Sequence, residues 1–338
     1  FAPPPESWAT NQPAGSSLMF LGPDQSLDLP DLLLGLSVSS GNDAAVALAE
    51  LLDGSVPAFA ERMNRNVRAL GLADLFFVEP SGLSPRNTIT AHSFARFLLA
   101  HLEAFPGALD HYYGVRTYTY PDEENRVGPG ARAPITQANR NTLLWEEDGV
   151  DGFKTGFIDE SGYHLAATAE RDGRRLIALV LGIDADSHSV GGALRAADAS
   201  ALLDYGFNRF RQLTFGYPDP RPVRVYGGRT TEVVPEGPGE IVIAVPVGSE
   251  ARINGTIEQV DSAIAPLPAV VAGTVGITLD GVTLATEELV LPAQERGGLF
   301  RRIWDGILLA ARRVASWFVD LEMPASAGEL TPAHSGAR

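Results

Sequence analysis

From Gly152 onward the spacing of apolar residues changes. Three short β-like runs, "GFKTGFI", "YHLAATAE" and "RRLIALVLGI", follow one another, and the last two are joined by Asp172-Gly173. A two-residue Asp-Gly connection suits a turn whose central residues both take positive φ, and such a turn reverses the chain into an antiparallel partner. The pattern predicts an antiparallel meander from Gly152 to Gly182. The segments before it carry helical grammar instead. In "SGNDAAVALAELL", Asn42 or Asp43 can cap a helix built from the strong helix formers Ala44 to Leu52. "SVPAFAERMNRNVRALG" repeats the scheme, with Ser55 as cap, Pro57 in the first turn and Gly71 as stop. Thr90 caps a third helix through Glu103, and Ala193 to Phe210 reads as a fourth, after a loop of small residues.

A length of 338 residues suggests two domains, and a hydrophobic fraction of 45% is enough for a sizeable core. The division falls at "GYPDPRP" (216–222), a linker rich in Pro and Gly. Val223 to Leu291 is dominated by Val, Ile, Thr and Gly, alternates as in "EIVIAVPV", and holds a second Asp-Gly turn at Asp280-Gly281, so a small all-β module is expected. In "RGGLFRRIWDGILLAARRVASWFVDLE", Leu299, Phe300, Ile303, Trp304, Ile307, Leu308, Ala311, Val314, Ala315 and Phe318 share one helical face, while Arg301, Arg302, Asp305, Arg312 and Arg313 lie off it. Its charges interrupt any apolar run long enough to span a bilayer, so the pattern points to a helix lying in the membrane plane, with packing on the β module or another subunit as the alternative. Residues 323–338 read as a disordered tail.

Composition narrows the chemistry. A net charge of −16 excludes broad binding to a nucleic-acid backbone, which needs clustered Lys and Arg. With no cysteine, disulfides, thiolate metal sites and a Cys nucleophile are excluded. No H-E-x-x-H pair occurs, and "DADSH" (184–188) reads as a polar loop, so neither a metal nor any other cofactor is expected. "GVDGFKT" is not a phosphate loop, because Phe153 stands where that loop needs Gly before the lysine, and there is no G-x-S-x-G elbow. The chain has a single lysine, Lys154, although it uses arginine for positive charge everywhere else.

Two triplets remain: "SGN" at 40–42, opening a helix, and "KTG" at 154–156, on a strand. Together, in this order and these contexts, they belong to the motif set of penicillin-binding proteins and class A β-lactamases. The chain resembles the D-alanyl-D-alanine carboxypeptidases, low-molecular-mass penicillin-binding proteins of the S11 peptidase family. The resemblance runs through "SWATNQPAGSSLMFL" (7–21), "SVSSGNDAAVALAE" (37–50), "NRNTLLW" (139–145), "VDGFKTGFIDESGY" (150–163), "LLDYGF" (202–207), the β module and the amphipathic C-terminus. A class A β-lactamase fits less well, since the triplet is S-G-N rather than S-D-N and that family has no appended β domain.

The resemblance implies a mixed α/β (α+β) transpeptidase-like catalytic domain with an antiparallel sheet over 1–213. A β-rich domain over 218–293, an amphipathic membrane-anchoring helix over 296–322 and the tail would follow. It implies attack on the D-Ala–D-Ala bond of a peptidoglycan stem peptide by a serine, an acyl-enzyme, and hydrolysis. Ser40 would relay a proton to the leaving amine and Asn42 would hydrogen-bond the substrate amide. Lys154 would bond Ser40 and attract the terminal carboxylate, Thr155 would meet that carboxylate, and Gly156 would admit the peptide as an added strand. Lysine suits this post better than arginine because its ammonium is a compact point charge. Arg195, at the start of the last helix, matches a family arginine that helps hold the carboxylate; as a residue at a helix start it could equally be a surface arginine. Phe157 and Ile158 stand where relatives often carry a His or aromatic and then Thr. β-Lactams would be inhibitors, and the location would be the outer face of the bacterial cytoplasmic membrane.

One element is absent. The family's S-x-x-K cannot occur, because the residue three before the only lysine is Asp151. The chain opens on Phe1 without a basic-then-apolar leader. The expectation is that the nucleophile and its lysine lie upstream, leaving this chain alone inactive; the alternative is a non-catalytic binder of peptidoglycan or a partner on the same scaffold. In either case Ser40 Oγ and Lys154 Nζ should lie about 2.7–3.2 Å apart.

Overall fold

The computed structural model describes residues 1–216 and 220–319. The chain divides into two compact units, Phe1–Phe207 and Asn208–Arg338.

In the first unit, α1 (Leu29–Ser37) begins at a capping box in which Asp28 and Asp31 each accept the other's backbone N–H. Helix α2 (Asn42–Asp53) ends at Gly54, whose φ of 71° a glycine takes without strain. It is not capped by Asn42 or Asp43 as the sequence suggested: Gly41 is the N-cap, with no side-chain cap bond, because Asp43 points inward. Ser55 and Thr90 do cap α3 (Val56–Ala69) and α4 (Ala91–Ala104). A two-stranded ribbon, β1 (Thr117–Tyr120) with β2 (Ile135–Ala138), and a short α5 (Leu143–Glu146) lead into the meander.

The meander is β3 (Val150–Ile158), β4 (Gly162–Arg171) and β5 (Arg174–Ile183), antiparallel in the order β3-β4-β5, so β3 is an edge strand. Asp172 and Gly173 take φ of 51° and 71°, the double positive φ their turn requires. Both faces of this sheet are covered. Leu165, Ala167, Ala169, Ala178 and Val180 cluster with Ala196, Ala199, Leu203 and Phe207 of α6 (His188–Arg209). Phe153 and Ala166 cluster with Leu98 of α4 and with Leu109. A buried Phe or Leu in such a cluster contributes roughly 1.5–3 kcal/mol.

Helix α6 starts at His188, five residues before Ala193, so Arg195 lies within the helix and not at its start. The small residues that resembled a loop serve packing: a Cβ on Gly191 would stand 2.3 Å from the Tyr163 ring, so glycine lets this first turn lie directly on it.

In the second unit, β6 (Phe210–Gly216) pairs with β9 (Glu240–Pro246), β7 (Val223–Tyr226) lies between β8 (Glu232–Val233) and β11 (Ser262–Ile264), and β10 (Ile253–Gln259), β12 (Val270–Leu279) and β13 (Val282–Leu291) form an antiparallel sheet. Alternate residues of β9, Ile241, Ile243 and Val245, are buried against Val275, Ile277 and Leu289. Because β6 pairs here, the boundary falls at 207/208 and not at 213. Helix α7 is described over Leu299–Val319. Its Asp305, which lies off the apolar face, is buried and accepts the Gly227 N–H at 2.8 Å. Residues 217–219 of the linker and the tail at 323–338 lie outside the described residues.

Candidate active site

The two triplets meet. Lys154 Nζ donates to Ser40 Oγ at 2.7 Å and to the Thr155 carbonyl at 2.8 Å, joining residues 114 apart in sequence. Ser40 occupies the tight connection between α1 and α2 with φ of 56°, a left-handed conformation that costs a serine energy and is kept only where its surroundings enforce it. Strand β3 supplies Lys154, and its edge position leaves one side of its main chain without a strand neighbour among the described residues.

Three cations converge. Arg140 donates through Nε to the Ser39 carbonyl at 3.2 Å, and Arg195 donates through a guanidinium nitrogen to the Gly156 and His164 carbonyls at 3.2 and 3.4 Å. Burial, then Arg140 and Arg195, lower the Lys154 ammonium to a pKa of about 7. Burial lowers both arginines, and Arg195 is lowered further by Arg140 and raised by Tyr163. Among the described residues no carboxylate pairs with Lys154. A carboxylate arriving from outside would raise the Lys154 pKa and restore its full charge.

These groups line a cleft of about 2550 Å³, together with Asn42 and Thr155. Thr155 and Asn42 are nearly buried, at 8% and 7% exposed, so their polar atoms are aimed by packing and not by solvent. A Cβ on Gly156 would meet only the His164 side chain, at an ordinary 3.6 Å, so this glycine is not required by the fold. Apolar side chains also line the cleft, among them the partly exposed Phe94 and Phe97, and the buried Nε2 of His101, another lining residue, has no hydrogen-bond partner among the described residues.

A second serine near a base can be set aside. The Gly182 N–H donates to His164 Nδ1 at 3.0 Å, so that nitrogen is the acceptor and Nε2 carries the proton. His164 therefore donates to Ser161 Oγ at 2.8 Å and cannot take its proton. Phe157 stacks on Tyr163 with centroids 4.2 Å apart, and His188 meets its edge at 4.9 Å.

The structure thus brings Ser40, Asn42, Lys154, Thr155, Gly156 and Arg195 to one cleft. Sequence reasoning missed Arg140, which lay unassigned inside "NRNTLLW"; an arginine between two asparagines just before the meander was the available signal.

Comparison with known proteins gives the same direction. The family described as D-alanyl-D-alanine carboxypeptidase, peptidase S11, matches residues 3–185. The chain is 33% identical over 324 residues to D-alanyl-D-alanine carboxypeptidase DacC of Escherichia coli K12, spanning 93% of this chain and 76% of that protein. It is 32% identical over 318 residues to DacA of Haemophilus influenzae, spanning 92% and 76%. Among solved structures it resembles penicillin binding protein 5 from Haemophilus influenzae, with a TM-score of 0.73, 30% identity and coverage of 87% of this chain and 82% of that one.

Proposed function

The chain belongs to the S11 peptidase family of D-alanyl-D-alanine carboxypeptidases, and from that premise we propose that its cleft holds a peptidoglycan stem peptide by its C-terminal D-Ala-D-Ala. The observation that carries this reading is the 2.7 Å Lys154–Ser40 bond, made beside an open strand edge and two further cations. The peptide adds to the free edge of β3 as a strand, with Gly156 permitting close approach. Thr155, Lys154 and Arg195 receive the terminal carboxylate, and Asn42 holds the amide before it.

The chemistry is acyl transfer. A serine oxygen attacks the carbonyl of the penultimate D-alanine, the C–N bond breaks, and the terminal D-alanine leaves as its amine takes a proton relayed through Ser40. Water then hydrolyses the ester and restores the serine. The nucleophile and the lysine that activates it are not in this sequence, which has one lysine, already committed to Ser40 and Thr155. We assign both to an S-x-x-K segment supplied from outside it. The partly exposed rings of Phe94 and Phe97, with a His101 Nε2 that has no hydrogen-bond partner among the described residues, support this reading, since an apolar face with a waiting acceptor or donor suits a packed helix. β-Lactams occupy the same cleft as mimics of the terminal dipeptide.

The reaction takes place outside the cytoplasmic membrane, where peptidoglycan lies. Among the described residues no helix is long and apolar enough to cross a membrane. Helix α7 leaves Leu299, Phe300, Ile303, Trp304 and Ile307 exposed on one face, which suits attachment in the membrane plane.

The test uses the protein carrying S-x-x-K. It should release D-alanine from diacetyl-Lys-D-Ala-D-Ala and not from the same peptide amidated at its C-terminus. Equal binding of both peptides with no release would favour a non-catalytic binder and overturn the carboxypeptidase reading.

A further inference from the structure

Ser40 is held in an unfavourable backbone conformation, and the residues that enforce it form one unit. Its φ is 56°, and the two residues after it are tied down through their main chain: the Gly41 N–H donates to Gly35 O and the Asn42 N–H to Ser17 O, both at 2.9 Å. At the centre is Asp43, fully buried at 0% exposed. Its Oδ1 accepts the N–H of Met19 at 2.8 Å and of Ala44 at 2.9 Å, and its Oδ2 accepts those of Phe20 at 2.7 Å and Leu21 at 2.9 Å. Met19, Phe20 and Leu21 lie outside any helix or strand, so the carboxylate stands in for the pairing a neighbouring strand would give them.

The packing around this carboxylate is exclusive. A Cβ on Gly41 would stand 2.7 Å from Asp43 Oδ1 and 2.9 Å from both Met19 Cβ and Met19 N. A Cβ on Gly35 would stand 2.3 Å from Met19 Sδ. Gly41 is therefore required for the clamp to close on the loop that carries Ser40, and Gly35 leaves the room that the Met19 side chain fills.

We propose that Asp43 is a positioning residue for Ser40, its carboxylate clamping the main chain of residues 19–21 and so fixing the Ser40 hydroxyl on Lys154. No cation approaches Asp43 among the described residues, and burial raises its pKa against the four N–H bonds that lower it. A buried charge without a counter-ion is costly to fold around. Here the geometry explains its presence, because two oxygens each accepting two N–H bonds is something only a carboxylate provides. Asparagine keeps one oxygen and turns an NH₂ donor against the other pair of N–H donors. The catalytic meaning of the clamp rests on the proton-relay role given to Ser40; the geometry does not, and the test addresses the geometry alone.

Because Lys154 is the only lysine, a chain grown on ¹³C,¹⁵N-lysine gives one side-chain resonance set, and its titration reads the Ser40 contact directly. Arg140 and Arg195, the other charges at Lys154, are unchanged in every variant. Ser40→Ala defines the shift caused by losing that contact. Asp43→Asn should move the Lys154 titration in the same direction by at least half as much, and Leu72→Ala, which hollows a separate core cluster, should leave it in place. A folded Asp43→Asn chain that titrates like the unaltered one overturns the proposal, as does a Leu72→Ala shift equal to that of Asp43→Asn. Hydrogen exchange on the unaltered chain needs no variant: the Met19, Phe20 and Leu21 amides should exchange as slowly as those within β4. Fast exchange at these three positions would overturn the clamp.

Discussion

At the scale of residues, Lys154 is held by two neutral oxygens and faced by two guanidiniums, so its charge is poorly supported until an anion arrives. An ordinary lysine titrates near 10.4, and this one is brought down to about 7. Between those values the unfolded chain carries a proton that the folded chain does not. Stability from this group is therefore full above the ordinary value and is lost as pH falls through the folded one. Relative to Lys154→Met, the unaltered chain should gain stability between pH 7 and 10 when both are unfolded in urea at fixed ionic strength. Parallel profiles would mean that Lys154 is not desolvated. Ser40 and Lys154 were legible because each sits in a triplet with a recognisable local context, a helix start and a strand. Arg140 and Asp43 were not. Arg140 gains its role only when the loop between β2 and α5 folds back to Ser39, and Asp43 gains its own only by meeting residues 19–21, 22 to 24 positions away along the chain.

At the scale of elements, β3 offers its main chain and Gly156 keeps that edge low. Since an added Cβ at Gly156 meets only the His164 side chain at ordinary contact distance, Gly156→Ala should change stability by less than ~1 kcal/mol. In the protein carrying S-x-x-K it should nonetheless raise KM for the D-Ala-D-Ala peptide at least tenfold. An unchanged KM would remove β3 as the docking edge. Helix α7 makes a separate prediction. Phe300→Asp with Ile303→Asp, both on exposed positions, should abolish co-sedimentation with phosphatidylglycerol-containing vesicles while leaving the β unit folded by circular dichroism. Undiminished sedimentation would assign membrane contact elsewhere. The caps at Ser55 and Thr90 and both Asp-Gly turns could be read directly, because each is a local rule satisfied by adjacent residues. Strand β6 could not: "FRQLTFG" follows a helix without punctuation, and it is extended because β9, which begins 24 residues after β6 ends, pairs with it. The early start of α6 was hidden for a similar reason, since Gly191 favours a loop locally and is helical because Tyr163 needs the space.

At the scale of the whole molecule, the family, the antiparallel sheet and the converging triplets agree, and the sequence holds no S-x-x-K. On the function proposed above, a site with Ser40, Lys154, Thr155 and the flanking arginines would recognise the substrate without an activated nucleophile of its own. Ser40 does touch a lysine, yet that lysine also donates to Thr155 O, and the N–H groups of Gly41 and Asn42 are already given to Gly35 and Ser17, so neither of these two N–H groups is free to stabilise an oxyanion on a Ser40 adduct. Loss of the activated nucleophile in comparable serine enzymes costs on the order of 10⁴–10⁶ in rate. Intact-mass spectrometry after treatment with a penicillin tests this division of roles most directly, on the present 338-residue chain and on the protein carrying S-x-x-K. The expected result is no adduct on the present chain and a single adduct on the S-x-x-K serine of the other, severely slowed by Lys154→Ala. A covalent adduct on the present chain that maps to Ser40 would contradict it.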